Sequence, residues 1–295
     1  MKTTPRISVV TPSLNQGRFL ERNIQSVLAQ DYPDFEHIVI DAESTDETLE
    51  VLERYPSVRW VSEPDDGQTN AINKGFAMSG GDVFAYLNSD DVYRPGAFTK
   101  AVAAFQDPLC QVVAGNCDIL DENGVVSGEY RAELSAREDL LRYWRWGKGV
   151  CIPQPAVFVR RNLIEQLGGF DEAYDMAMDF EMWLRLAKRA EFTILDETLA
   201  GFRVTPETKT SRRKFDMVVE SFRAAKAHLS VAPPGRRLAL ALELHRETAG
   251  HLVTIAEELI GQRQSTEALV HALKVWPLAG GSPRVWRLML RAMAN

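Results

Sequence analysis

Short apolar runs alternate with segments of helical periodicity through the first half of the chain. In the first helical segment, Phe19, Leu20, Ile24 and Val27 show the three- and four-residue spacing of one buried face. This alternation is typical of βαβ units, which build a mainly parallel sheet covered by helices. The predicted strands lie near residues 7–11, 37–41, 58–62, 83–87, 112–117 and 156–159. The predicted helices lie near residues 19–30, 45–54, 69–78, 97–105 and 162–167, and one more begins near 179.

The composition is that of a folded protein. With 295 residues, 45% of them hydrophobic, the chain can bury one large domain or one domain with an appendage. Its three cysteines form no Cys-x-x-Cys pair, which argues against a disulfide framework or a zinc site and favours the reducing cytoplasm. No apolar stretch reaches the roughly 18 residues that a membrane-spanning helix needs.

Charge is distributed unevenly between an acidic body and a basic tail. Residues 1–208 hold 20 Lys and Arg against 34 Asp and Glu, whereas residues 209–295 hold 14 against 7. Beyond Lys214 the pattern is helical, so we expect a catalytic or binding domain at 1–213 and a helical extension at 214–295. The extension could contact an anionic membrane surface, pack on the body or bind a second subunit. Its basic and apolar residues include Arg236, Arg237, Trp276, Arg284, Trp286, Arg287, Leu288, Met289 and Arg291.

Two adjacent acids and an amide follow the fourth predicted strand, in the order Asn88, Ser89, Asp90 and Asp91. The carboxyl ends of strands are where an open α/β sheet binds ligands. Adjacent ionised carboxylates repel each other unless a cation compensates, and oxygen ligands suit Mg²⁺ or Mn²⁺ carrying a diphosphate. A helix cap before Pro95 would explain only one of the acids. The stretch therefore predicts a metal site at Asp90 and Asp91.

Other polar residues follow the second and third predicted strands. Asp41 could accept hydrogen bonds from a nucleobase or a ribose, with a purely structural role as the alternative. Asp66, Asn70 and Lys74 lie in and after an acidic turn that opens a helix. They could line a shared polar cleft, or they could cap the helix and contact solvent.

Asp179 stands at the predicted start of a helix. A carboxylate there could act as a general base, provided that burial suits its pKa to taking a proton from a hydroxyl. The alternative is a helix-capping residue with no chemical role.

Together these stretches resemble the family 2 glycosyltransferases, inverting enzymes of the GT-A fold that use nucleotide-diphospho-sugars. The resemblance covers residues 5 to 205 and follows the order of the family's motifs. The matching stretches are residues 8–13, 41–46, 63–67, 73–75, 87–91, 154–155, 168–171 and 178–185.

The resemblance implies an α/β fold with a mainly parallel sheet sandwiched by helices. A Rossmann-like half would bind the nucleotide, another half would bind the acceptor, and the helical extension would follow. It also implies that Asp41 binds the nucleobase in a pocket lined by Thr11, Pro12 and Ser13. The remaining implied donor-binding residues are Asp66, Asn70, Lys74, Asn88, Ser89 and Asp90.

The family's Asp-x-Asp motif falls on Asn88, Ser89 and Asp90. Because Asn88 replaces the first acid, we expect Asn88 to contact the donor and Asp90 to bind the metal, Mg²⁺ or Mn²⁺, with help from Asp91. The family's catalytic base falls on Asp179. A UDP-sugar is the favoured donor, and the implied acceptor is a glycan or a lipid-linked glycan used in cell-surface polysaccharide or glycolipid synthesis.

A mobile segment is expected to close over the donor and exclude water. It runs from Trp144 to Gln154, with hinges at Gly147 and Gly149. Aromatic rings there and in the following helix could stack on sugar faces, although core packing is the common alternative. The predicted acceptor or lid residues are Trp144, Trp146, Gln154 and Trp183.

Two other functions fit part of the pattern. A nucleotidyltransferase would also use paired acids on such a sheet, but no glycine-rich phosphate loop follows the first strand. A non-catalytic module that binds a sugar nucleotide or a glycan would not need Asp179. The sequence predicts a cytoplasmic protein, peripheral on the inner face of the membrane if the tail binds lipid, and compatible with a homo-oligomer. No nucleic-acid partner is expected.

Overall fold

The structure, a computed structural model, describes residues 4–261 and 270, and its centre is a β-sheet. A nine-stranded sheet and a separate two-stranded ribbon are present in this part of the chain. The strands are β1 (Ile7–Ser13), β2 (Phe35–Asp41), β3 (Arg59–Ser62), β4 (Val83–Tyr86), β5 (Val92–Tyr93), β6 (Val112–Leu120), β7 (Val126–Tyr130), β8 (Glu133–Leu134), β9 (Val150–Cys151), β10 (Val157–Arg160) and β11 (Phe192–Arg203).

The order of the large sheet is β3-β2-β1-β4-β10-β6-β11-β5, with β7 beside β6. The first four strands in this order are parallel to one another, and β6 is parallel to β11. Strand β10 lies antiparallel between β4 and β6. The prediction of a mainly parallel α/β sheet is confirmed. Strands β8 and β9 form the ribbon.

Helices cover both faces of the sheet. They are α1 (Gly17–Leu28), α2 (Thr48–Glu53), α3 (Gln68–Met78), α4 (Ala97–Ala104), α5 (Arg161–Leu167), α6 (Met178–Leu186), α7 (Lys209–Arg212), α8 (Lys214–Ala227) and α9 (Arg237–Gly261). The six helices predicted before residue 190 are all present, with boundaries that differ by up to three residues.

The sandwich follows from the burial of the central strands on both faces. Every residue of β1 is buried. Because successive side chains of a strand point to opposite faces, Val10 joins one hydrophobic cluster and Val9 joins another. Helices α8 and α9 complete the first of these clusters through Phe222, Leu240 and Leu244. The start of the helical extension therefore packs on the body of the protein.

Strand β11 is absent from the sequence-based prediction. Its first half is half-buried or exposed and carries the acids Asp196 and Glu197, so it lacks the apolar run of a buried strand. It nevertheless pairs with β6 over most of its length, with irregular register near Thr198. The missed strand positions the segment that follows it, which contributes to the candidate site.

The helical extension is confirmed as far as the structure describes it. Helix α9 begins at Arg237, three residues after Pro234. Among the described residues, none of the helices combines the length and the apolar character needed to cross a bilayer. The remaining predicted tail residues lie outside the described residues: Trp276, Arg284, Trp286, Arg287, Leu288, Met289 and Arg291.

Close packing of α3 on β1 leads to a stability prediction for Gly75. A Cβ atom on Gly75 would lie 2.3 Å from Cγ1 of Val10, in the sheet. We expect Gly75→Ala to lower the free energy of unfolding by about 1–3 kcal/mol, because overpacking outweighs the gain in helix propensity. Urea denaturation would measure the change.

The control for this substitution is Gly250→Ala in α9, where a Cβ atom meets nothing within 4 Å. There we expect a gain of about 0.5–1 kcal/mol from helix propensity alone. Equal effects of the two substitutions would contradict the proposed packing constraint.

Candidate functional site

Four parallel strands end at one edge of the sheet, where the candidate residues lie. The register places Ser13 of β1 beside Asp41 of β2, and Asp41 beside Ser62 of β3. On the other side of β1, Val10 pairs with Tyr86 of β4. Because these strands point the same way, the turns that follow them meet at this edge, the usual ligand-binding edge of an open α/β sheet.

Asp41 is fully buried, and neighbouring residues hold its carboxylate. Ser44 donates to it through the backbone N–H (3.0 Å) and the hydroxyl (2.5 Å), and the Ser62 hydroxyl donates at 2.6 Å. Pro12 and Ser13 are buried at the end of β1. The Ser13 hydroxyl finds no hydrogen-bond partner within the described part of the chain, so it is available to a ligand.

Asn23 of α1 holds the turn after β4 in place through two hydrogen bonds. The Asn23 amide nitrogen donates to the backbone carbonyls of Asn88 (2.8 Å) and Asp91 (3.0 Å). Its amide oxygen accepts from the Thr11 hydroxyl (3.3 Å), which lies 2.9 Å from Nε2 of His37. Burial lowers the pKa of His37 to about 3, so the imidazole is neutral near pH 7. Thr11, a predicted donor-binding residue, thus belongs to the buried network that supports the turn.

The Asn88 side chain connects three parts of the site. Its oxygen accepts from Gln68 Nε2 at 2.7 Å. Its nitrogen donates to Gln154 Oε1 at 3.3 Å and to Asp91 Oδ2 at 3.4 Å. Gln154 in turn donates to the Tyr86 carbonyl at 2.7 Å. The structure therefore brings two predicted site residues, Asn88 and Gln154, into contact.

The adjacent acids Asp90 and Asp91 face different surroundings. Asp91 is fully buried and accepts a hydrogen bond from the backbone N–H of Arg203 at 2.9 Å. Burial, together with the charge of Asp90, raises the pKa of Asp91 well above its usual range. The half-buried Asp90 carboxylate receives no hydrogen bond from another described residue, and burial raises its pKa too. Ser89, between Asn88 and Asp90, is buried.

Asp179 is the second residue of α6. Its Oδ1 accepts a hydrogen bond from the backbone N–H of Phe180 at 2.7 Å. Burial raises the pKa of Asp179, and the positive charge of Lys209 opposes part of this shift. A carboxylate with a raised pKa is a stronger base, as the predicted role requires.

The Asp179 region and the turn after β4 lie close together. Lys209, which lies close enough to Asp179 to influence its pKa, donates to Gln68 Oε1 at 3.3 Å. Gln68 is also the residue that holds the turn. Tyr86, at the end of β4, has a pKa raised well above its usual value by burial and by the charges of both Asp179 and Asp91. The charges of Asp91 and Asp179, which are 88 residues apart in sequence, therefore both raise the pKa of the Tyr86 hydroxyl.

Three predicted donor-binding residues lie in α3 or in the turn before it. Asp66 is exposed, and its backbone N–H donates to Asn70 Oδ1 at 3.4 Å. Asn70 donates to Glu172 at 3.2 Å, and Lys74 forms an ion pair with Glu63 at 2.8 Å. These contacts account for the side chains of Asn70 and Lys74 without a ligand, and Asp66 contributes only its backbone N–H. The binding role of all three residues stays a prediction.

The three predicted acceptor or lid tryptophans differ in how much of the ring is exposed to solvent. Trp183 is only 4% exposed and packs edge-to-face against Phe192 in the core, so the protein covers its ring. Its position does not support the predicted acceptor contact. Trp144 is half-buried against Tyr143, whereas Trp146 is 44% exposed. Of the three, Trp146 offers the most open ring to a ligand.

Three important side chains are missing from the sequence-based set. Gln68 is the first residue of α3. The predicted site residues of this region are Asp66 before it and Asn70 and Lys74 after it. Arg203 is almost fully buried and donates to three backbone carbonyls, including that of Asp90 at 2.9 Å. Arg203 is the last residue of β11, and Lys209 follows the strand. Because β11 was not predicted, neither residue was assigned a position near the site.

The residues present fit a divalent ion that is shared with a phosphate. In the described ranges, no three His, Cys, Asp or Glu side chains cluster in a way that could hold a metal. Mg²⁺ needs no such cage, because it keeps several waters and binds one or two carboxylates together with substrate phosphates. The open carboxylate of Asp90 suits that role. Asp91 is committed to Arg203, so its predicted metal contact stays a prediction.

Solved structures support the fold. S. aureus TarS 1–349 in complex with UDP-GlcNAc superposes with a TM-score of 0.67 at 19% identity, covering 98% of this chain and 87% of that one. The mannosyltransferase PcManGT from Pyrobaculum calidifontis, in complex with GDP-Man and Mn²⁺, gives 0.61 at 19% identity, covering 99% and 87%.

Sequence relatives agree with this fold. The chain is 28% identical over 239 residues to a chondroitin synthase of Escherichia coli, covering 78% of this chain but only 33% of that protein. It is 33% identical over 211 residues to an uncharacterised glycosyltransferase of Mycobacterium tuberculosis, covering 70% of this chain and 78% of the relative. The sequence profile of "Glycosyl transferase family 2" matches residues 8–168, more than half of the chain. The protein belongs to this glycosyltransferase family, as its motifs predicted.

Proposed function

We propose that the protein transfers a hexosyl group from a nucleotide-diphospho-sugar to an acceptor hydroxyl, with inversion at the anomeric carbon. One observation carries the proposal: Asp90, whose carboxylate accepts no hydrogen bond from another described residue, lies in the turn after β4, and this turn is close to Asp179, a carboxylate with a raised pKa. The first suits the diphosphate side of a donor, and the second suits the hydroxyl side of an acceptor. Inversion requires these two functions on opposite sides of the sugar.

The nucleotide would lie over the ends of β1 and β2. Asp41 and the unpartnered Ser13 hydroxyl offer hydrogen-bonding groups to the base or ribose. Thr11 and Pro12 complete that wall of the pocket, and Asn88 and Ser89 would meet the ribose or phosphates. Uridine is the favoured base, and the UDP-GlcNAc held by TarS supports this choice.

The reaction would proceed as a single in-line displacement. The acceptor oxygen attacks the anomeric carbon and forms the new glycosidic bond, while the bond from that carbon to the diphosphate oxygen breaks. Asp179 accepts the proton from the attacking hydroxyl, and the nucleoside diphosphate leaves with the bonding electron pair. Burial of Asp179 raises its pKa, which strengthens it as the proton acceptor.

Charge on the departing diphosphate needs compensation, because the body of the protein is acidic. A divalent cation held by Asp90 and the donor phosphates would supply positive charge there, and the Mn²⁺ bound by PcManGT supports such a requirement. Lys209 would add a fixed positive charge at the same site. Asn88 would orient the turn through its contact with Gln68.

The acceptor would approach past the segment from Trp144 to Gln154. Gly147 and Gly149 have φ values of 68° and 95°, a backbone conformation that glycine adopts readily. Exposed Trp146 could stack on a sugar ring. A glycan or lipid-linked acceptor in cell-surface polysaccharide or glycolipid synthesis fits the chondroitin synthase relative. A cytoplasmic location, peripheral membrane contact and a homo-oligomer remain part of the proposal.

Replacement of the proposed base tests the reaction. We expect Asp179→Asn to lower kcat by about 10²- to 10⁴-fold, because the amide cannot accept the proton, while the Kd for UDP stays within twofold. Nucleotide release in the presence of acceptor and calorimetric UDP binding would measure the two quantities. Glu191→Gln, on an exposed turn, is the control. Unchanged turnover would overturn the proposal, and an absence of turnover in the parent protein would favour a binding module.

The pH dependence of transfer tests the electrostatics of the base. Asp179 acts only when deprotonated, so kcat should rise with pH through its pKa. Lys209 lowers this pKa, so Lys209→Met should move the rising limb of the profile to higher pH. The exposed Lys214→Met serves as a control with an unchanged profile. A limb that stays in place or moves to lower pH would contradict the assignment.

Metal binding tests the role of the turn after β4. We expect Asn88→Asp to tighten Mn²⁺ binding in the presence of UDP by roughly tenfold, because it adds a second carboxylate beside Asp90. Electron paramagnetic resonance titration of free Mn²⁺ would measure the affinity, with the exposed Asn123→Asp as a control. Unchanged or weaker binding would show that the ion does not contact this turn.

A further inference from the structure

Helix α8, in the helical extension, holds the loop that leads to Asp179. The Oε2 atom of Glu220 accepts hydrogen bonds from three consecutive backbone N–H groups, those of Asp175 (2.9 Å), Met176 (2.8 Å) and Ala177 (3.1 Å). Asp179 lies only two residues after Ala177. One carboxylate from a distant segment thus fixes the entry to α6.

Neighbouring residues of the extension hold the same loop. Arg223, one turn after Glu220, donates to the carbonyl of Ala173, and its guanidinium lies 4.0 Å from the centre of the Tyr174 ring. Arg213 contacts the Asp175 carboxylate at 2.5 Å. The extension therefore contacts both the backbone and the side chains of this loop.

Helix α6 caps only the N–H group of Phe180 with a side chain of its own, that of Asp179. Its N-cap residue is Ala177, which has no side-chain hydrogen-bond acceptor. The N–H groups at a helix start need outside partners, and a negative charge is favourable there. Glu220 accepts a hydrogen bond from one N–H group of the helix start, that of the N-cap residue Ala177, and places a negative charge there. Its other two donors, Asp175 and Met176, belong to the loop before the helix. The direction of the first turn, which carries Asp179, therefore depends on a residue 41 positions away.

We propose that Glu220 is a positioning residue for glycosyl transfer and that α8 is a working part of the catalytic unit. Glu220 touches neither the site residues nor the reacting atoms; it sets the position of the Asp179 carboxylate through the loop at 175–177. This inference rests on the proposed function, since it assigns Glu220 a role through the proposed base. It also moves the functional boundary of the domain beyond residue 213.

Two substitutions separate the geometry from the charge. Glu220→Ala removes the acceptor for all three N–H groups, so we expect kcat to fall by about 10- to 100-fold, as small misplacements of catalytic groups do. The KM for the nucleotide-sugar should stay within twofold. Glu220→Gln keeps an acceptor oxygen of the same reach and should recover most of the lost kcat. Glu247→Ala in α9, which removes an ion pair to its neighbour Arg246, is the matched control.

A double-mutant cycle distinguishes positioning from general destabilisation. If Glu220 acts through the base, Glu220→Ala should cause no further loss of the residual rate when it is added to Asp179→Asn. Multiplicative losses in the double variant would overturn the inference and leave the proposed function intact. An Asp179→Asn variant with full activity would overturn the proposed function itself.

Thermal unfolding and circular dichroism of each variant complete the test. The inference expects a folded Glu220→Ala protein whose kcat falls while its affinity for UDP is retained. Parallel losses of kcat and UDP affinity in both Glu220 variants would show a structural role only and would overturn it.

Discussion

The parallel register of β1 with its two neighbours decides where the candidate functional side chains lie. It places Asp41, at the end of β2, beside Ser13, and Tyr86, at the end of β4, beside Val10 on the other side of β1. Side chains at these ends project from buried strands, so their hydrogen bonds must be satisfied locally or by a ligand. Asp41 accepts three hydrogen bonds from Ser44 and Ser62 and keeps capacity for one more. Within residues 4–261, the Ser13 hydroxyl and the Asp90 carboxylate receive no hydrogen bond from another residue. The same constraint that buries the sheet thus creates the binding edge.

Most of the strands and helices before residue 120 could be predicted because the strands are apolar runs and the helices show one buried face. Beyond residue 135, β10, α5 and α6 could also be predicted, whereas β11 could not, because it carries Asp196 and Glu197 in its exposed part and resembles a loop. With β11 missing, Arg203 and Lys209 had no predicted position. Both residues reach the site only through long-range strand pairing with β6, which no local pattern encodes.

The paired acids show a second limit of local reasoning. Repulsion between Asp90 and Asp91 suggested that one cation serves both carboxylates. In the fold, Asp91 instead accepts from the backbone of Arg203, and Asn88 also donates to it, in a fully buried position. These donors lower the pKa of Asp91 only in part, because burial and the charge of Asp90 keep it well above its usual range. The metal contact of Asp91 stays a prediction. Sequence adjacency indicates an electrostatic problem but does not identify its solution.

The charge distribution of the chain is explained in part by these contacts. Lys209 and Arg213, the first and third basic residues of the positively charged segment 209–295, both pair with Asp175 of the acidic body. Glu220 is one of the few acids in that segment, and it lies where three N–H groups converge. The basic start of the extension thus balances acidic loops around the site, and its acid stabilises a helix start. Such complementarity ties the extension to the site by electrostatics as well as by apolar packing, so the loop before Asp179 and helix α8 should respond together when either is perturbed.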